Sequence, residues 1–437
     1  MTRWQGIVAL DPHVSEEPVF VWLKREWLLV LITVGIGIDW LPFMLTPYVP
    51  QFGPLSGTRL LVMPGLLLAG LLTPSWITRP HVLAVAYLVT ILIGGGLGWF
   101  AGTVPLGRVN TLLVNGVILA YYLSLRSLVS IRRVLAITFV LSIGVPIIQC
   151  LAALGVITPE WLTDVGALPD PDGRIFSIFD TTTPGFVPLI IPACLGGLLF
   201  LHARSRRTFV NAVLAAGLVG FGLTSALLAR QRSGVLAYAV SLSIALVLYV
   251  SWQRKRVAWL LVGFGLLSLV AANLGQQLVT PAAERFGNAA LYEDQRDLRL
   301  LGLSTFLSDF ADNPLNLVPI GQDSLLDRTG IAPHFLVSEA YYSGGPLFLA
   351  AIVAILLRFA EACLALARSS DANARLIGNC LCAFGAGAAV EVMLQTSLGL
   401  RIVPLIVGVA IAGHRVRRAQ VRRAALAGLT WQRADAH

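Results

Sequence analysis

Apolar runs of about 17–25 residues recur from Trp27 to His414, and no other feature constrains the fold as tightly. A helix needs roughly 20 such residues to cross the hydrocarbon core of a bilayer. It also satisfies its own backbone hydrogen bonds there. A spanning barrel would need strands of alternating polarity, and that alternation is absent. Hydropathy places twelve spans, at residues 27–45, 60–77, 81–101, 109–125, 134–157, 184–203, 209–229, 234–252, 257–278, 345–367, 377–395 and 398–414. The sequence therefore predicts an all-α polytopic membrane protein with about 12 transmembrane helices. Its composition agrees: 56% of the 437 residues are hydrophobic and only 13% charged, roughly half the charge of an ordinary soluble domain. The five cysteines, Cys150, Cys194, Cys363, Cys380 and Cys382, all fall in apolar runs. They have no disulfide-framework or zinc-type spacing and read as small buried hydrophobes.

Basic residues then set the sidedness. Arg79 follows span two, Arg126, Arg132 and Arg133 follow span four, and Arg204, Arg206 and Arg207 follow span six. Arg254, Lys255 and Arg256 follow span eight, Arg368 and Arg375 follow span ten, and six arginines from Arg415 to Arg433 follow span twelve. Basic connections face the cytoplasm, so both termini are expected there, in a multi-pass protein of a bacterial plasma (inner) membrane. The net charge of +9 follows from this topology and from anionic lipid at the inner face. No nucleic-acid motif accompanies it. The first 20 residues are too polar and acidic for a cleavable signal peptide, and span one serves as the insertion signal. The expected organisation is a cytoplasmic segment (1–26), nine spans (27–278) with an outer loop at 158–183, a large extracytoplasmic loop (279–344), three spans (345–414) and a basic cytoplasmic tail (415–437). Within the large loop, Leu300, Leu303, Phe306, Leu307 and Phe310 recur at helical spacing. They predict an amphipathic helix over 293–310 lying on the outer membrane face.

The chemistry gathers on that outer side. "LLARQRSGVLAYAV" places Arg230 and Arg232 at an outer hairpin tip, against the charge bias. One reading is snorkelling to the headgroups; the other is an anion site, because a guanidinium fork suits phosphate oxygens. Of six histidines only His334 falls outside the cytoplasmic side and the spans, and histidine is the commonest general base. Asp170-Pro171-Asp172-Gly173 reads first as a turn, though its D-x-D pattern is also one that holds a divalent ion near a diphosphate. Asp39 and Glu391 fall toward the outer ends of spans, where Arg59 or Arg401 could neutralise them. Arg358 and Glu361, three apart on span ten, read as a structural pair. Gly94-Gly95-Gly96 in span three marks either a broken helix or a close packing contact.

Four segments between Gly173 and Leu347 resemble the bacterial O-antigen ligase/polymerase (Wzy-type) family of membrane glycosyltransferases. "DGRIFSIFDTTTPG" is similar to an outer-loop segment of that family through Gly173, Arg174 and Phe179, and "RQRSG" to its S-R-S-G turn through Arg232, Ser233 and Gly234. "FADNPL" carries its Asp312, Asn313 and Pro314, and "HFLVSEAYYSGGPL" its His334, Glu339 and Gly345. The chain departs from the pattern at Phe335, at Gln231 and from Asp180 to Thr183.

The resemblance implies transfer or polymerisation of glycan repeat units from an undecaprenyl-diphosphate-linked oligosaccharide onto a glycan or lipid acceptor at the outer leaflet, in O-antigen or exopolysaccharide biosynthesis. His334 would act as base toward the acceptor hydroxyl. Arg232, with Arg230, Arg174 and Arg296 or Arg299, would stabilise the departing diphosphate, and Glu339, Asp39 and Glu391 would support the site. The resemblance further implies an inverting, metal-independent transfer with no cofactor, an apolar groove for the polyprenyl tail, a second groove for the acceptor, and polysaccharide export or chain-length proteins as partners. The departures tilt the reading from ligase toward polymerase. The competing class is a transporter or flippase of a lipid-linked sugar, for which internal repeats and broken midplane helices would be the signature. No clear repeat is present.

Overall fold

The computed structural model describes residues 19–38, 61–153, 196–197, 208–228, 232–250, 289–330, 333, 335–394 and 400–434. These residues are helical, with no strand among them. The helices are α1 (Val19–Ile38), α2 (Met63–Leu72), α3 (Ser75–Thr78), α4 (Val82–Phe100), α5 (Leu106–Leu123), α6 (Leu128–Ala153) and α7 (Thr208–Leu228), then α8 (Arg232–Val250), α9 (Ala289–Asp312), α10 (Gln322–Thr329), α11 (Leu336–Ala367), α12 (Ala372–Leu394) and α13 (Ile402–Ala434). Three of them, α4, α5 and α11, are long and apolar enough to cross a membrane. They match expected spans three, four and ten.

The bundle is held by close approaches at small residues and by a few polar bridges. A Cβ on Gly94 would stand 1.9 Å from the carbonyl oxygen of Gly344, so α4 and α11 touch backbone to backbone. The Gly94–Gly96 stretch is thus a packing contact within a continuous helix. Gly408 of α13 lets Tyr122 of α5 approach in the same way. The Tyr122 hydroxyl lies 2.8 Å from Thr33 Oγ1 on α1, and Ser241 of α8 donates to the Ala383 carbonyl of α12 at 2.5 Å. Inside lipid such bridges keep polar groups satisfied.

One end of the bundle is arginine-rich. Arg415 donates to the carbonyls of Leu123 and Leu125 at 2.5 and 3.2 Å, tying α13 to the end of α5. Arg417 reaches Ser369 and Ser370, Arg375 reaches the Ser369 carbonyl, and Arg132 reaches Asn373. The basic connections after expected spans four, ten and twelve therefore converge in space. At the opposite end lie the α4–α5 turn, α9, α10 and the start of α11.

Three expectations need correction. Span 60–77 is not one helix: Thr73 and Pro74 separate the 10-residue α2 from α3, because the residue before proline is pushed out of the helical region. α1 begins at Val19, inside the expected N-terminal segment, and departs from helical geometry at Glu26. The helix expected over 293–310 is present as α9 but is not cleanly two-faced. Phe306 is buried and Leu303 partly so, whereas Leu300 and Leu307 point outward at 56% and 55% exposure.

α11 also begins earlier than expected, yet its break falls at the expected start of span ten. Gly345 adopts φ +73° and Pro346 follows. Proline lacks the N–H a helix interior requires, and glycine alone enters this backbone region cheaply. A short first section, 336–344, is thus set apart from the span, and all of it except Val337 is buried.

Candidate functional site

The end opposite the arginines is built around that short section. α9 docks on it through Asp309, whose carboxylate accepts both arms of the Arg328 guanidinium at 2.8 and 2.5 Å and the Tyr342 hydroxyl at 2.5 Å. The Arg328 bond, with help from Tyr342, holds the Asp309 carboxyl below the usual carboxylate range. The Tyr341 hydroxyl lies 3.1 Å from the carbonyl oxygens of both Asp309 and Asn313. Phe306 and Phe310 pack edge-on against Tyr341, each 5.7 Å between ring centres. The segment after α9 closes over the α4–α5 turn: Thr103 Oγ1 donates to the Pro319 carbonyl at 2.7 Å. Gly321, at φ +91°, passes so near the Thr103 carbonyl that a Cβ would be 2.1 Å away.

Beneath this cap Glu339, only 1% exposed, is ion-paired to Arg108 near the start of α5. Ser343, one turn along from Glu339, receives Gln322 at 2.8 Å and Arg108 Nε at 3.4 Å. Four side chains from three helices thus fix the first section of α11, whose N-cap is Phe335. A buried carboxylate needs a counter-charge and further hydrogen bonds, and this network supplies the guanidinium.

A second buried charge lies close to an apolar groove. Glu391 of α12 is fully buried, and its charge acts on Arg299 of α9. Burial lowers the Arg299 pKa, and the Glu391 charge opposes that shift. Less than one turn before Glu391, Ala388 and Ala389 line a cavity of about 420 Å³ between α8, α11, α12 and α13. Its walls are almost entirely apolar, with Phe359, Phe384, Cys363 and Leu381 among them. Leu356, Val403 and Val407 are shared with a recess of about 40 Å³ that extends to Leu336. The cavity and the recess therefore share part of one wall, and the recess reaches the first residue of α11.

The structure places Arg299 within electrostatic reach of Glu391, and it sets Glu339 in the Arg108 network. Arg232 is the first residue of α8, and Arg296 precedes Arg299 by three residues on α9; their side chains lie outside the described residues. His334, Arg230, Arg174, Asp39, Asp170 and Asp172 are outside them altogether. Among the described residues no three His, Cys, Asp or Glu side chains are grouped to hold a metal. Sequence reasoning missed Arg108, Gln322, Ser343 and the Asp309–Arg328–Tyr342 lock. Arg108 carried the same signal as Arg230 and Arg232, a basic residue beside a connection on the side where such residues are disfavoured. No family model matches the chain, and no curated protein is significantly similar to it.

Proposed function

We propose that the chain is a multi-pass glycosyltransferase of the O-antigen ligase/polymerase type, working at the outer leaflet of a bacterial plasma membrane. In this reading twelve spans cross the membrane, the arginine-rich end and both termini face the cytoplasm, and the α9–α10 cap faces out. The observation that carries it is a lipid-sized apolar cavity close along one helix to a buried carboxylate. Glu391, whose charge acts on Arg299, follows Ala388 and Ala389 on α12 by less than one turn, and these two line an apolar cavity of about 420 Å³. A polyprenyl diphosphate has the matching form, an apolar tail joined to an anionic head.

The chemistry follows from that head group. As the bond from the anomeric carbon to the diphosphate oxygen breaks, negative charge grows on the leaving oxygen, and fixed guanidinium groups stabilise it there. Arg299 serves this purpose, with Arg232 and, from the other outer segments, Arg174, Arg230 and Arg296. His334 takes the proton of the acceptor hydroxyl as that oxygen attacks the anomeric carbon from the opposite face. The Arg108–Glu339–Ser343–Gln322 network anchors the helix section that follows His334. It is a positioning device that touches neither donor nor acceptor. Repeat-unit polymerisation is favoured over ligation to a lipid core.

The test is a deletion strain complemented with wild type, His334→Ala, Arg232→Ala or Arg299→Ala at matched protein levels, with surface and lipid-linked glycans profiled. Single-repeat products in the variants support polymerisation, and long polymer held on the lipid carrier supports ligation. Normal glycans in all three variants would overturn the enzyme reading. Lipid-linked repeats trapped at the inner leaflet would instead favour a flippase.

A further inference from the structure

The span section of α11 carries an ion pair where a membrane helix would ordinarily present only apolar groups. Arg358 donates to Glu361 at 2.5 Å, and the two side chains are 63% and 45% exposed on the outside of the bundle. Arg358 lies nine residues before Ala367, the end of the helix, which is about 14 Å along the axis. That puts it well inside a hydrocarbon layer about 30 Å thick. His414 and Arg418 act electrostatically on Glu361, which sets the pair in the half of the span nearer the arginine-rich end. Arg358 turns toward that end by one helical turn only, where its guanidinium is engaged by Glu361. Charged groups within a span almost always face protein or water.

The pair also sits in a pattern. Leu347, Ala350, Ala354, Leu357 and Glu361 follow one another at steps of three and four, and all five are exposed. This is the seam by which two helices pack side by side, with small residues at 350 and 354 that allow close approach.

We propose that this seam is an interface through which two copies of the chain pair in the membrane. Both copies insert with the same orientation, so the two-fold axis runs along the membrane normal and the two α11 helices lie parallel. Helices packed at about 8–10 Å bring each Arg358 within reach of the other copy's Glu361. One positive and one negative group per copy close into a ring of four with no charge left over. A second copy of this surface is thus its own complement, whereas lipid tails offer neither charge a partner. The pairing stands independently of the reaction assigned above.

Charge reversal tests it. Two differently tagged copies are co-expressed and co-purified in a mild detergent. Arg358→Glu alone and Glu361→Arg alone each place like charges across the seam, so self-association should fall at least tenfold. Mixing an Arg358→Glu copy with a Glu361→Arg copy gives a doubly negative surface facing a doubly positive one, and co-purification should return to the wild-type level. If both single variants self-associate normally, or if the mixture gives no recovery, the proposal fails. A second measurement covers poor folding of the charge variants. With the five native cysteines replaced by alanine, Leu357→Cys should cross-link between copies in native membranes, while Val89→Cys on the exposed face of α4 should not. No cross-link at 357, or an equal one at 89, overturns the pairing.

Discussion

Glu339 shows how much one carboxylate depends on its surroundings. It is almost fully enclosed, and Arg108 supplies its opposing charge. Arg108→Ala should lower stability by about 3 kcal/mol, the order found when one partner of a buried ion pair is removed. Arg108→Lys should recover only part of this, because an ammonium cannot hold Glu339 and Ser343 together as a planar fork does. Thermal unfolding of the detergent-solubilised protein measures both. Asp309 offers a pH test. Its pKa is lowered in the folded protein by Arg328 and Tyr342, so its stabilisation is complete above the ordinary aspartate value of about 4. It is lost as pH falls through the lower folded value. Protection factors across α9 and α10, measured against intrinsic exchange at each pH, should therefore hold from pH 7 to 5 and fall below about 4, whereas Asp309→Asn should show the reduced protection at every pH. At this scale the sequence was only partly legible. Arg299, Glu339 and Glu391 were named from the sequence, but Arg108, the partner of Glu339, was not. The Asp309–Arg328–Tyr342 lock was not, because its partners stand 19 and 33 residues from Asp309 and nothing in local spacing joins them.

Among the helices, glycines report which faces meet. Gly94→Ala should force α4 away from the Gly344 carbonyl and cost about 1–3 kcal/mol, as overpacking does. A Cβ at Gly96, two residues on, meets nothing within 4 Å. Gly96→Ala should therefore be neutral or stabilise by up to about 1 kcal/mol through helix propensity. If the two variants melt alike, the α4–α11 contact is not as described. Helix existence was readable from hydropathy because an apolar run of span length has few other folded uses, and α4, α5 and α11 fell where expected. Breaks were harder to read. Thr73–Pro74 ended α2 inside an apolar run that hydropathy treats as continuous. Gly345–Pro346 lies in the middle of a helix whose two sections do different things, and only φ at Gly345 separates them. For α9, leucines at helical spacing did not say which of them pack against the bundle: Leu303 is partly covered, and Leu300 and Leu307 are exposed.

For the molecule as a whole, the two ends differ in kind. One is tied by arginine to serine and carbonyl oxygens, and the other by carboxylate locks and aromatic packing. On the proposed topology, Ala101→Cys at the α4–α5 turn should react with a membrane-impermeant maleimide in intact cells, and Ser370→Cys at the α11–α12 turn only after permeabilisation. The reverse pattern would invert the sidedness. Filling the groove with Ala389→Phe should cut glycan product at least tenfold while leaving the unfolding temperature unchanged, because the added ring occupies space rather than displacing core. The groove itself was expected from the resemblance alone; apolar periodicity cannot distinguish a wall of a cavity from a surface against lipid. α13 carries a different kind of consequence. Its 33 residues form one helix, about 50 Å long, against a hydrocarbon layer of about 30 Å. The helix is anchored at Arg415 and Arg417 to the bundle's edge, so the stretch from Arg418 to Ala434 continues it for about 25 Å beyond that anchor.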